Sequence, residues 1–376
     1  MAGLYLHIPF CLKKCGYCDF YSSGIRDRGR AGMAIDQIAC FLSAIEKEWD
    51  LYAGSGFRSI GFFETVYFGG GTPSLLKPEQ IRRLINRIRP FLSHPAITET
   101  TLEANPATIA PDKLKAYLDA GINRISIGVQ SFDDGILKLL GRLHSAMEAE
   151  EAILMAREAG FDNIGLDLIF AVPRQTLSGW KRTVEKAISL APDHVSAYSL
   201  TWSGSTPLGR QIESGRIARP GDDETADMSL LAAGLLQNAG YEQYEISNYA
   251  KSGKRSRHNE SYWTGIPYLG LGPSAHSFTG TERFWNVSDT ERYIQTLGQG
   301  LLPVAAEETL SPEDRRLERL SLGLRTKEGV SMSELEIDAS RLAPLADAGL
   351  ARSDGGRLCL TPKGMLLADE IALKLA

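Results

Sequence analysis

The stretch Leu4–Ser22, LYLHIPFCLKKCGYCDFYS, decides how the chain is read, because Cys11, Cys15 and Cys18 fall at the spacing CxxxCxxC. Leu4–Ile8 predicts a buried strand, Pro9 ends it, and Gly16 weakens any helix through the cysteines, which places the thiols on a loop leaving a strand end. Open α/β folds build their sites there. In a helix the three cysteines would share one face (i, i+4, i+7) and pack as small apolar residues; Pro9, Gly16, Lys13 and Lys14 argue against that. Thiolates suit iron–sulfur clusters or zinc, and a closed zinc site or a fully ligated cluster needs four protein ligands. Three close thiolates on a 4Fe-4S cubane leave one iron open to a ligand from outside the protein, whereas a zinc barrel without redox role is the weaker reading on ligand count.

Outward from the loop, strand and helix patterns alternate. Met33–Ala53 is helical, with Ile35, Ile38, Leu42, Ile45 and Trp49 on one face. Strand Glu64–Phe68 enters Gly69-Gly70-Gly71-Thr72-Pro73, where glycines let backbone approach a ligand and turn amides inward. Further strands follow at Thr98–Glu103, Arg124–Val129, Ile164–Phe170 and His194–Leu200, separated by helices. Six such units argue for parallel strands with right-handed crossovers and are too few for a closed eight-stranded barrel. The fold class is α/β: an open, incomplete parallel β/α barrel over residues 1–240, an extension over 241–305, and a small C-terminal α+β, winged-helix-like domain over 306–376. In such barrels the strand C-termini carry the chemistry. Glu103 and Gln130 end strands, and Arg142 lies just beyond; taken bare, each suits a capping or solvent-facing role equally. Asp167 stands within the apolar strand IGLDLIF, where a charge needs a partner.

These residues carry a resemblance. CxxxCxxC with Tyr17 before its last cysteine resembles the signature of the radical S-adenosylmethionine enzymes, and YLHIPFC resembles one branch of them, the oxygen-independent coproporphyrinogen dehydrogenases and their relatives, the haem chaperones. GGGTP, LEANP, GVQSF, LGRLH and DLIF look like the family's ordered blocks. The resemblance implies that the open iron binds S-adenosylmethionine, cleaved by an electron from the cluster to a 5'-deoxyadenosyl radical. It also implies that Tyr5, Gly70, Gly71, Thr72, Glu103, Gln130, Arg142 and Asp167 line the cofactor pocket. Carboxylates suit ribose hydroxyls and the amino group, an arginine suits a carboxylate, and glycine amides suit an anionic tail. One departure is Arg174 in AVPRQT, where the family usually has glycine; a turn of positive φ would be strained there.

Composition sets outer bounds. A net charge of −5 over 376 residues gives no footprint for nucleic acid or an anionic membrane. No apolar run approaches the ~18 residues of a span and no signal peptide is evident, so the expected location is cytoplasmic. One tight cysteine cluster plus Cys40 and Cys359, read as buried and inert, is a metal pattern rather than a disulfide framework.

Past the barrel, Asp222–Ala239 reads as a helix, Glu242–Ile246 as a strand, and HNESYW, with His258 beside Tyr262 and Trp263, as part of a loop. A loop histidine with packing aromatics is the bland reading; imidazole ligating haem iron, with aromatics stacking on the ring, is the sharper one. HNESYW resembles the HNxxYW motif of the family's haem chaperones, which makes His258 the candidate haem contact, while His276 is a candidate for the cofactor pocket. Beyond Ser311 come helices Pro312–Leu324, Ser331–Ile337 and Arg341–Ala348, then a hairpin turning at Gly355-Gly356.

Two functions fit the resemblance. One is a haem chaperone that binds haem and hands it to an acceptor protein, with the cluster and S-adenosylmethionine regulatory or stabilising. The other is coproporphyrinogen III dehydrogenase, in which the radical decarboxylates propionates. The first is favoured by HNESYW, by Phe20 where the dehydrogenases carry a fourth cysteine, and by the ten residues before Cys11, where those enzymes have a longer segment.

Overall fold

Alternation builds the first strand, β1 (Gly3–Ile8): Leu4, Leu6 and Ile8 are fully buried on one face, which leaves Tyr5 and His7 together on the other. The computed structural model describes residues 2–25, 31–54, 61–94 and 98–376, with the side chains of 31–35 and 339 left aside. The chain folds as two units. One comprises Met1–Leu166, Thr201–Ala218 and Ile266–Thr309, the other Asp167–Leu200, Arg219–Gly265 and Leu310–Ala376.

In the first unit, β1 lies between β2 (Thr65–Gly70) and a later strand and is parallel to both; β3 (Glu99–Ala104) and β4 (Arg124–Gln130) continue the parallel run. Tyr5 is level with Tyr67, and Ile8 with Gly70. Helices cover this run because their apolar positions recur at helical spacing. In α1 (Ala31–Gly54), Leu42, Ile45 and Trp49 are buried as expected, while the side chain of Ile35 lies outside the described residues. In α2 (Pro78–Ile88), Ile81, Leu84, Ile85 and Ile88 are buried. The other expected helices stand as α3 (Pro111–Ala120), α4 (Asp134–Leu140) and α5 (Ala146–Ala159).

The second unit holds β5 from Asp167 onward (Ile164–Phe170 overall), β6 (His194–Ser199), and two short strands, β7 (Glu242–Gln243) and β8 (Asn248–Ala250); β8 runs antiparallel to β6 and β7. α6 (Leu177–Ser189) packs on α7 (Asp222–Asn238), with Trp180 Nε1 donating to Met228 O at 2.8 Å. Back in the first unit, β9 (Tyr268–Leu271) is the second parallel neighbour of β1. It leads into an antiparallel run, β10 (His276–Phe278), β11 (Glu282–Asn286) and β12 (Val304–Thr309). The C-terminal region has its own core of Leu320, Leu324, Leu358, Leu360 and Ile371. Its sheet is built from β13 (Val330–Ser331), β14 (Ala351–Asp354) and β15 (Arg357–Leu360), in the order β13-β15-β14. Gly355 and Gly356, both at positive φ, turn its hairpin.

Four expectations are corrected. Cys40 is exposed on α1, whereas Cys359 is buried. β2 runs through Gly69 and Gly70 rather than stopping at Phe68, because both glycines pair with β1. Ser331–Ile337 is a turn rather than a helix: Ser331 is drawn into the sheet opposite Arg357, and Glu336 takes φ 55°. The strand at Glu242 ends after two residues because Asn248 N donates to Glu245 O and Ser247 N to the Glu245 carboxylate, which turns the chain.

Arg174 does stand at a positive φ, 67°. A left-handed conformation costs an L-residue about 1–2 kcal/mol, partly offset by the extra unfolded-state freedom of glycine. Arg174→Gly is therefore expected to raise stability by about 0.5 kcal/mol in a urea melt.

Candidate functional site

The cluster loop is closed by backbone. Ser23 N donates to Pro9 O and Ile25 N to Cys11 O, both at 2.8 Å, pairing Phe10–Cys11 with Ser23–Gly24. Cys15 and Cys18 lie between, on irregular backbone. Gly16 N donates to Leu140 O at 3.2 Å, which sets the loop on the C-terminal end of α4. All three thiols are half-buried. Burial raises the Cys11 thiol and pushes that of Cys18 up to about 11, and the charges of neighbouring cysteines add to both shifts. Side-chain donors meet this sulfur group: Thr72 Oγ1 donates to Cys11 Sγ at 3.5 Å, and Arg142 Nη1 points to Cys15 Sγ at 3.8 Å. Among the described residues no three His, Cys, Asp or Glu side chains converge on a single-ion site. A cubane does not require that, since each thiolate takes a different iron. The donor set, three thiolates with a cation and a hydroxyl beside them, fits such a cluster.

Tyr5 and His7 form the floor beside it. His7 Nε2–H donates to Tyr21 O at 2.8 Å, so its Nδ1 accepts from Tyr5 Oη at 3.2 Å. Burial lowers the His7 pKa and favours this neutral form. Their shared face, at i and i+2 on β1, is the signal by which sequence reasoning could have found His7. Tyr5 stacks on Tyr67 at 6.1 Å, and the Tyr67 hydroxyl donates to Glu103 Oε1 at 2.8 Å.

The glycine turn works differently from the expected amide cradle. Gly70 N donates to Glu103 Oε2 at 3.1 Å, Gly71 N to Ile8 O at 2.8 Å and Thr72 N to Phe10 O at 2.8 Å. What the glycines supply is space. A Cβ on Gly70 would meet the His7 ring at 2.7 Å, and one on Gly71 would meet Phe10 O at 2.7 Å and Ile8 O at 2.9 Å. The latter are backbone atoms, so Gly71→Ala must push the cluster loop away. It is expected to cost about 1–3 kcal/mol in melting and to speed iron loss to a chelator.

Gln130 ends β4 at φ 68°, a strained conformation of the kind that collects at functional sites. A Cβ on Gly128 would lie 2.8 Å from Gln130 Nε2 and 3.4 Å from Arg142 Nη2, so both side chains reach the same bare stretch of β4. Arg142 Nη2 donates to Gly128 O at 2.6 Å. Its guanidinium also opposes the upward shift that burial imposes on the Tyr17 phenol, to which it is hydrogen-bonded. Beside it His144 donates to Val129 O, and burial together with the Arg142 charge holds it neutral, near pKa 4. Tyr5, Gly70, Gly71, Thr72, Glu103, Gln130 and Arg142 thus all belong to the first unit: Gly70, Glu103 and Gln130 at the C-terminal ends of β2–β4, Gly71 and Thr72 just beyond β2, Tyr5 within β1 and Arg142 past α4. His276 belongs to it too, exposed and stacked on Trp285 at 5.5 Å. Asp167 belongs to the second unit, half-buried in a strand otherwise buried, and its charge adds to the burial that raises the Tyr198 phenol.

HNESYW proves helical, contrary to the loop expected: α8 (Arg257–Trp263) starts at Ser256, whose hydroxyl accepts from Asn259 N. About two turns are too few for an apolar period to show, although Ser256 is a recognisable N-cap. His258 is only 1% exposed, and its Nε2 is hydrogen-bonded to Tyr262 Oη at 2.9 Å, the rings edge to face. Asn259 Nδ2 reaches Tyr244 Oη and Glu245 Oε1, each at 3.4 Å, and Tyr244 Oη meets His194 Nε2 at 2.8 Å. Arg255 binds Glu242, Glu260 and Glu328 at 2.8–2.9 Å. Sequence reasoning missed this hub, since its carboxylates are spread over 86 residues of chain and converge only in the fold.

An open parallel β/α run with a three-cysteine loop leaving its first strand defines a protein of the radical S-adenosylmethionine class. The Radical SAM superfamily description matches residues 5–187, and that of the HemN C-terminal domain matches residues 310–367. The Heme chaperone HemW of Bacillus subtilis (strain 168) is 34% identical over 99% of this chain and 98% of its own length. That of Mycobacterium tuberculosis (strain ATCC 25618 / H37Rv) is 36% identical over 98% of this chain and 93% of its own. Among solved structures, coproporphyrinogen III oxidase (HemN) from Escherichia coli, a radical SAM enzyme, superposes with a TM-score of 0.82 at 25% identity, covering 99% of this chain and 89% of that one. The chain belongs to the heme chaperone HemW family. Among the described residues no helix is long and apolar enough to cross a membrane.

Proposed function

We propose that this protein is a haem chaperone, binding haem and passing it to an acceptor protein. The observation that carries the reading is end-to-end likeness to proteins named heme chaperone. In this reading Cys11, Cys15 and Cys18 hold a 4Fe-4S cluster. Tyr5, Gly70, Gly71, Thr72, Glu103, Gln130, Arg142 and Asp167 serve S-adenosylmethionine, and His258 meets haem. When bound, the cluster and S-adenosylmethionine supply one-electron chemistry. The chain's own contribution is to steady them. Arg142 places positive charge beside Cys15, Thr72 donates to Cys11, and Glu103 fixes the glycine turn through Tyr67 and Gly70 N. Phe20, 66% exposed on the cluster loop, offers an apolar ring where a fourth thiol would stand in the dehydrogenases.

A haemin titration of anaerobically reconstituted protein, followed by absorbance, tests the reading. Wild type is expected to saturate near one haem per chain, and His258→Ala to bind about tenfold or more weakly, as for a lost metal ligand. Absence of saturable binding would sink it. Turnover of coproporphyrinogen would then favour the second reading, which the superposition on the Escherichia coli enzyme supports.

A further inference from the structure

Resting on the haem-chaperone reading, we infer that residues Gly253–Gly265 form a hinged flap, shown here closed, and that Tyr262 is its latch. An imidazole binds haem iron through a nitrogen lone pair. The His258 ring is almost wholly buried, so neither nitrogen meets a flat macrocycle while the helix stays where it is. Its Nε2 is committed to Tyr262. If Nε2 accepts from the Tyr262 hydroxyl, that lone pair is in use; if it donates, it carries a proton. In both tautomers the bond to Tyr262 must break before Nε2 can ligate iron.

The surroundings of α8 suit such a movement. Gly253 (φ 74°) and Gly265 (φ 67°) bracket the helix in left-handed conformations, and a Cβ on either would meet nothing within 4 Å. They are unpacked pivots. Between them, opening must break the part-exposed Arg255 ion pairs to Glu242 and Glu328 at 2.8 Å, of the kind that contribute little, while the Asn259 contacts are long at 3.4 Å. The indole Nε1–H of Trp263 is buried with no acceptor among the described residues. An unpaired buried donor disfavours the closed form and gains a partner when the flap opens, to water or to a haem propionate. Tyr262 is thus a positioning residue that competes with iron for His258.

Stopped-flow mixing of haemin with full-length, cluster-reconstituted protein reads the latch. The rate of haem uptake by wild type is expected to level off as haemin rises, at the rate of flap opening. Tyr262→Phe is expected to raise that plateau about tenfold, the worth of one hydrogen bond, with the final spectrum unchanged. His258→Ala is expected to lose that spectrum. A wild-type rate that climbs linearly with haemin, or an unchanged plateau in a folded Tyr262→Phe, would overturn the latch while leaving haem binding intact. Should Tyr262→Phe not fold, the wild-type curve still decides. No saturable uptake by wild type would overturn the haem reading and the latch together.

Discussion

Cys15→Ala protein, reconstituted anaerobically with iron and sulfide, is expected to lose nearly all cluster iron and the broad brown absorbance of wild type. The CxxxCxxC motif supplies three thiolates, so the variant keeps two of them for the cluster. Cys11 and Cys18 hold their protons above the ordinary thiol range because they are half-buried. Cluster assembly must remove those protons and should be slower at pH 6.5 than at pH 8.5. Thr72→Val, which removes only the hydroxyl that donates to Cys11, is expected to keep the iron and lose it more readily to a chelator. Phe20→Ala is expected to leave iron content as it is. Full iron content in Cys15→Ala would remove the thiols from the metal site. A colourless wild type carrying zinc would replace the cluster with a different metal chemistry.

The barrel was legible because its strands carry their own evidence. β1, β2 and β4 read as short apolar runs ending at Pro9, a glycine turn and Gln130, and the helices between repeat apolar residues at 3.6-residue spacing. The candidate site was legible where chemistry concentrates in sequence, in the three cysteines and the glycine turn. What stayed hidden depends on contacts between distant segments. The Arg255 hub needs Glu242 and Glu328 brought together, and Tyr21, held by His7, has nothing in its local sequence to mark it. Cys40 is exposed against expectation, because a cysteine on a helix says nothing of which face it occupies until the neighbours of that helix are known. The committed amides of Gly70 and Gly71 likewise follow from their parallel pairing with β1, which no local pattern reports.

Glu48 is the strongest hidden feature, and the stability of the first unit should turn on its proton. The residue lies on the buried face of α1 and is completely enclosed. Its carboxylate accepts from Gly272 N at 2.8 Å, Asn286 Nδ2 at 2.6 Å and the Tyr293 hydroxyl, which ties α1 to the sheet and to the helix bearing Tyr293. Burial pushes its pKa up to about 7 from the ordinary 4.5, against the pull of the three donors. Between those two values the folded chain keeps a proton that the unfolded chain releases. The stabilisation from Glu48 is therefore full below about pH 4.5 and is lost as pH rises through about 7, an effect on the order of 3 kcal/mol. Urea melts of wild type and Glu48→Gln at pH 5 and pH 8 should show the difference between them moving by that amount in favour of the glutamine variant at high pH. Glu48→Leu should be destabilised by about 3 kcal/mol or more at both, since it strands three buried donors. A wild-type-to-glutamine difference that does not change with pH would mean that the three donors outweigh burial and hold Glu48 ionised throughout.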